Sequence, residues 1–128
     1  MSLKTHILLV THPGFGEGLL EAAEIILKSR PEVTLLTNRD LNVAELQDKM
    51  VSWLAEHKGI RLILTDLPFG SCCQAAKFVA HGDPDVGIVA GVNLPVLLAA
   101  LRSREHASLG DLLKHLADRG AGAVEVIR

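Results

Sequence analysis

Short apolar strands alternating with amphipathic helices predict an α/β fold: a three-layer sandwich around a mainly parallel sheet. Residues 5–11 (THILLVT), 33–37 (VTLLT), 60–66 (IRLILTD) and 85–91 (DVGIVAG) are strand-length apolar runs without strict alternation, as expected of strands covered on both faces. The segments between them carry apolar residues at helical spacing, and right-handed crossovers then force neighbouring strands to run parallel.

The first strand ends in polar residues and leads into the loop His12-Pro13-Gly14-Phe15-Gly16. From Glu17 to Arg30 the spacing predicts a helix with Leu19, Leu20, Ala23, Ile26 and Leu27 on one face, ended by Pro31. After the second strand, Asn42 with Glu45 three residues on forms a capping-box pattern. It opens a helix with Val43, Leu46, Met50, Trp53 and Leu54 inward, and Gly59 stops it before the third strand. The linker Leu67-Pro68-Phe69-Gly70 leads to a helix from Ser71 to about His81, and Gly82-Asp83-Pro84 turns into the fourth strand. Helices follow from about Leu94 to Arg102 and from Ser108 to about Arg119, broken by Gly120 and Gly122. A last short strand is predicted over residues 123–127 (AVEVI), where Glu125 between valines suits an edge or pairing with another chain.

With 128 residues, the chain is expected to form one domain. Its composition is 48% hydrophobic but only 3% aromatic, so the core must be aliphatic. A net charge of -2 argues against nucleic acid or an anionic membrane surface as partner. No apolar run is long enough to span a bilayer, and the start (MSLKTHILLV) lacks the pattern of a signal peptide. The two cysteines, Cys72 and Cys73, are adjacent and unsuited to a structural disulfide, so a reducing, cytoplasmic setting is expected.

Sites in open α/β sheets form beyond the carboxyl ends of the strands. That rule selects Thr11-His12, Asp66 and residues 91–93, together with Ser71 at a helix start. A neutral imidazole is a good phosphoryl acceptor, and it works best with its second ring nitrogen held as N–H by an acceptor. Asp66 fits that role, and Ser71 with the first amides of its helix would receive the phosphoryl oxygens. Taken singly, His12 and Asp66 read as a loop residue and a cap; it is their joint placement at two strand ends that lifts them above that reading.

The remaining five histidines are set aside: His6 within a strand, His57 and His81 near helix ends, His106 in a polar loop and His115 in the last helix. None has a second ligand at metal spacing, so no metal is expected. The glycines around Phe15 match neither GxGxxG nor GxxxxGK[ST], so no nucleotide or other cofactor is expected. Cys72 lies in a helix's first turn, where a thiol pKa can fall, though plain packing of two small residues explains it as well. Asn93 and Pro95 fit ordinary helix-start chemistry.

Several stretches together resemble the IIA component of mannose-type (mannose, fructose, sorbose) sugar phosphotransferase systems over essentially the whole chain. They are ILLVTH with a glycine-containing loop and EGLLEAAEIIL, LILTD followed by Gly70-Ser71, IVAGVNLPVLLAAL, and the terminal GAGAVEVIR. The resemblance implies a single IIA domain over residues 1–128: a cytoplasmic phosphotransferase that takes a phosphoryl group from HPr and gives it to a IIB component, meeting the membrane only through other subunits. By position, His12 matches the phosphorylated histidine, Asp66 its paired aspartate and Ser71 the serine beside the phosphoryl group. It further implies a homodimer in which the last strand pairs antiparallel with the partner's sheet. Two departures bear on partner choice: Pro13 where the family often has glycine, and Phe69-Gly70-Ser71-Cys72 where it usually reads Gly-Gly-Ser-Pro.

Three alternatives stand beside this reading. One is another phosphocarrier role: a regulatory one without sugar transport, which the departures at Pro13 and Phe69-Gly70-Ser71-Cys72 leave open, or a subunit feeding dihydroxyacetone kinase, which shares the fold and histidine but is disfavoured by Val92-Asn93-Leu94-Pro95. Another is a receiver domain phosphorylated on Asp66, which needs an acidic cluster after the first strand and a lysine after the last, where this chain has Thr11-His12 and Val126-Ile127. The third is a non-catalytic binding module.

Overall fold

Alternate residues of the first strand enter opposite cores, which is the period-two geometry of a strand buried on both faces. In the computed structural model, which describes residues 4–103 and 108–128, β1 spans His6–Thr11, and Ile7 and Leu9 pack on one side, Leu8 and Val10 on the other. The same split recurs in β3 (Arg61–Thr65), with Leu62 and Leu64 facing one core and Ile63 the other. With β2 (Val33–Thr37) and β4 (Val86–Ala90) these form a four-stranded, fully parallel sheet of order β2-β1-β3-β4. Residues of α1 (Phe15–Leu27), α4 (Leu94–Arg102) and α5 (Leu109–Ala121) build the core on one face, and those of α2 (Val43–Glu56) and α3 (Ser71–Ala80) the core on the other. The predicted three-layer sandwich is present.

Local chemistry sets the element ends. The capping box at α2 is formed: Asn42 Oδ1 accepts from the Glu45 N–H at 2.8 Å and Glu45 Oε1 from the Asn42 N–H at 3.0 Å. Helix α1 begins two residues before the expected Glu17, because Glu17 reaches back to accept from the Gly14 N–H at 3.0 Å. It also ends earlier than expected, at Leu27, where Lys28 turns left-handed (φ 57°) three residues ahead of Pro31. Ile26, expected inward, is 47% exposed.

Gly16 explains the glycines of the first loop. Its N–H donates to Thr11 Oγ1 at 3.1 Å, and a Cβ there would overlap Leu35 Cδ1 and lie 2.8 Å from Thr11 Oγ1. The loop is therefore a close-packed turn. Gly16→Ala should lower unfolding stability by about 1–3 kcal/mol, the usual range for overpacking a tight site. A urea midpoint within error of wild type would remove this role.

At the opposite, amino-terminal end of β3, Arg61 is buried. Its Nη2 donates to Asp83 Oδ2 at 2.9 Å, and its Nη1 donates to the Leu54 and His57 carbonyls at 3.1 and 3.2 Å. Both carbonyls belong to the end of α2, so the cation closes that helix as well as pairing with Asp83.

The predicted fifth strand is absent within the single chain. Residues 124–128 have no regular structure, and Val124, Val126 and Ile127 are 84%, 86% and 85% exposed. A strand exists only through a neighbour's ladder, and none of the chain's own four strands pairs with this segment. His106 lies outside the described residues. No helix among the described residues is long and apolar enough to cross a membrane.

Candidate active site

Strand order makes the site. The chain leaves β1 for β2 on one side and β3 lies on the other, so the carboxyl ends of β1 and β3 flank a topological switch point, where a crevice opens. His12 follows β1 and Asp66 follows β3. Residues 54 positions apart in sequence are thereby brought into contact.

The contact is double. Asp66 Oδ2 accepts from the His12 backbone N–H at 2.9 Å and lies 2.7 Å from His12 Nδ1. A carboxylate only accepts, so Nδ1 carries the proton and Nε2 of the neutral ring keeps its lone pair. The Asp66 side chain is 7% exposed and that of His12 is 48% exposed, so a shielded anion holds a ring that solvent and partners can reach. Thr11 is fully buried and fixes the turn between strand and histidine: its hydroxyl donates to the His12 carbonyl at 2.8 Å while accepting from Gly16.

Ser71 is the first residue of α3, after Gly70, whose φ of 89° suits glycine. The first-turn amides of a helix have no intrahelical acceptors and can receive an anion. Ser71 Oγ accepts from Asn38 Nδ2 at 2.9 Å, and no described hydrogen bond joins it to His12 or Asp66. Asn38 is a residue that the sequence reading missed. It directly follows β2, and its own N–H donates to the Thr11 carbonyl at 3.2 Å, tying β1, β2 and α3 together beside the histidine. The strand-end rule that found His12 and Asp66 applies equally to Asn38; only the end of β2 was left out.

Two other candidates resolve differently. Asn93 acts as a helix cap, with Oδ1 accepting from the Val96 N–H at 3.0 Å and Nδ2 reaching the Gly120 carbonyl at 3.4 Å. Cys72 packs in the core, as the reading of two small residues at a helix start has it, and shows none of the pKa lowering that a helix start can give: burial, and then the Asp66 charge, push its thiol up to about 11, against a smaller opposing effect of the Ser71 hydroxyl. It is therefore a neutral thiol at physiological pH. At pH 8 its alkylation by iodoacetamide should run roughly a hundredfold slower than that of an ordinary thiol, rising as pH approaches 11. Labelling at the rate of a free cysteine at pH 8 would contradict this. The other acceptor of Asp66, Oδ1, is buried without a hydrogen-bond partner.

Close in sequence to His12 and Asp66, the start of α1 and the loop after β3 expose apolar side chains: Phe15 at 42%, Leu67 at 38% and Phe69 at 66%. The arrangement offers one reachable imidazole nitrogen, a fixed carboxylate behind it and a helix start nearby.

Residues 6–117 match the family model described as PTS system fructose IIA component. A stretch of 55 residues is 44% identical to the PTS system fructose-specific EIIA component of Bacillus subtilis, covering 43% of this chain and 38% of that protein. The chain thus matches well under half the length of that relative. Among solved structures, the mannose/sorbose-specific IIA subunit of the phosphotransferase system from Enterococcus faecalis is similar with a TM-score of 0.84 at 25% identity, covering 98% of this chain and 96% of that one. The phosphotransferase system component EIIA from Streptococcus agalactiae shares the fold with a TM-score of 0.85 at 21% identity, covering 95% and 96%.

Proposed function

Because the chain belongs to the mannose-type IIA family of the sugar phosphotransferase system, a family of phosphotransfer proteins, we propose that His12 is its phosphoryl carrier. The phosphoryl group comes from HPr and passes to a IIB component during sugar uptake. The observation that carries this reading is the 2.7 Å contact of Asp66 Oδ2 with His12 Nδ1, which leaves Nε2 as the open nucleophile. Nε2 attacks phosphorus as the bond to the donor breaks, and the ring becomes a cation held against Asp66. The same steps in reverse order serve the acceptor. Ser71 and the first amides of α3 supply donors to the phosphoryl oxygens, and Asn38 holds the Ser71 hydroxyl in place. The exposed Phe15, Leu67 and Phe69 give two protein partners an apolar rim on which to seat. The protein works in the cytoplasm as one domain and as a homodimer, with residues 123–127 supplying an edge strand to the partner.

The direct test is incubation with phosphoenolpyruvate, enzyme I and HPr, followed by intact mass and then addition of a IIB component. One acid-labile phosphoryl group should appear and then be discharged. Asp66→Asn, which keeps the shape but loses the charge that supports the imidazolium, should slow acceptance by roughly one to two orders of magnitude with the fold intact. Unchanged rates would refute its orienting role. Sedimentation showing a monomer at micromolar concentration would refute the dimer.

A further inference from the structure

We infer that the crevice also binds a zinc-type divalent cation through His12, Asp66 and Cys72, and that the bound ion shuts off phosphoryl acceptance. A ring nitrogen of His12, a carboxylate oxygen of Asp66 and Cys72 Sγ all lie within 4.8 Å of one another. They come from the ends of β1 and β3 and from the first turn of α3, so no spacing within one segment announces them. Nitrogen, oxygen and sulfur donors of this kind suit zinc, which takes four ligands at about 2.0–2.3 Å in a tetrahedron. Ligand atoms in such a site stand roughly 3.3–3.7 Å apart, so the trio needs to close by about 1 Å. His12, with its side chain 48% exposed, closes the gap by giving up its Nδ1 contact with Asp66 Oδ2 and turning to the ion, and the same exposure gives the ion an entry path and a place for a solvent ligand.

A second observation concerns the same carboxylate. Asp66 Oδ1 is buried without a hydrogen-bond partner, on a side chain 7% exposed. An orphaned carboxylate oxygen there is costly, and a cation is the partner it lacks. Binding replaces the Cys72 S–H bond by a sulfur–metal bond and releases the thiol proton to solvent, with no change of oxidation state. The bound ion takes Asp66 from its place behind the ring and fills the crevice that the phosphoryl donor must enter. That inhibitory consequence rests on the phosphocarrier reading; the binding itself does not.

The test titrates metal-free wild type, His12→Ala and Cys72→Ala with CoCl2, followed by the near-ultraviolet sulfur-to-cobalt charge-transfer band, and with ZnCl2 by calorimetry. Circular dichroism checks that each variant is folded. Wild type should bind one ion and show the band. Cys72→Ala should lose the band, and both variants should bind zinc at least about tenfold more weakly. Absence of the band in wild type, or zinc affinity undiminished in the two variants, overturns the site. With HPr as donor, ZnCl2 should slow phosphoryl acceptance by wild type and a chelator should restore it. The cobalt band needs no phosphoryl donor: a band without any phosphorylation would fault the carrier reading alone, and phosphorylation without a band would fault the metal site alone.

Discussion

His12→Ala should leave incubation with phosphoenolpyruvate, enzyme I and HPr carrying no phosphoryl group, while wild type gains one. The expectation follows from the crevice having a single reachable imidazole: removing it takes away the atom that forms the bond, and no neighbouring group can substitute. Ser71 Oγ is already engaged by Asn38, and Cys72 is a buried, neutral thiol. The fold should be unaffected, since the His12 side chain is 48% exposed and its backbone N–H would still donate to Asp66. Circular dichroism and thermal melting of the variant should overlay wild type within a loss of about 1 kcal/mol. Full labelling of the variant would sink the assignment of His12, whatever became of the family.

The second large effect lies at the other end of the sheet and concerns stability alone. Asp83→Ala should destabilise the protein by about 2–4 kcal/mol, lowering the melting temperature by roughly 10 °C. Arg61 has a side chain only 10% exposed, and Asp83 is the partner that balances its charge. Its Nε is buried without a partner, and the contacts left to it, from Nη1 to the Leu54 and His57 carbonyls, are to neutral groups that do not balance the charge. Asp83 also accepts from the Asp85 N–H at 2.9 Å, so the turn into β4 loosens too. Because Arg61 gives up its hydration to make this part-buried pair, removing both charges should be milder than removing one. The double variant Arg61→Met, Asp83→Ala should therefore recover a good part of the loss. A single variant that melts with wild type would show that the pair contributes nothing.

How much of this could be read from residues alone depends on how local each determinant is. The near-continuous apolar runs within THILLVT and LILT mark strands covered on both faces, so the layers were legible, while the sorting of Leu8 and Val10 from Ile7 and Leu9 came from the structure. Asn42 and Glu45 announce their helix because both halves of the capping box lie within one turn. His12 and Asp66 were found through the strand-end rule, which converts topology into proximity. What escaped is non-local or depends on burial. The bond from Asn38 to Ser71 needs β2 beside β1, and the pKa of Cys72 is decided by burial outweighing its place at a helix start. The cluster of His12, Asp66 and Cys72 spans three segments, which a search for ligands at fixed spacing cannot see. Residues 123–127 have a strand's composition, but a strand needs a neighbour to be one, and the single chain provides none.

The two bonds from one Asp66 oxygen to His12, at 2.9 and 2.7 Å, pin the ring at both its backbone and its Nδ1 edge. A ring so anchored offers one nitrogen facing one way, and in the proposed carrier role everything that trades phosphate with it comes through that single doorway. Donor and acceptor are then rivals for the same footprint, and the carrier cannot be sandwiched between them as a bridge. Turnover should obey a ping-pong scheme, with parallel double-reciprocal lines and with excess of either partner inhibiting the other.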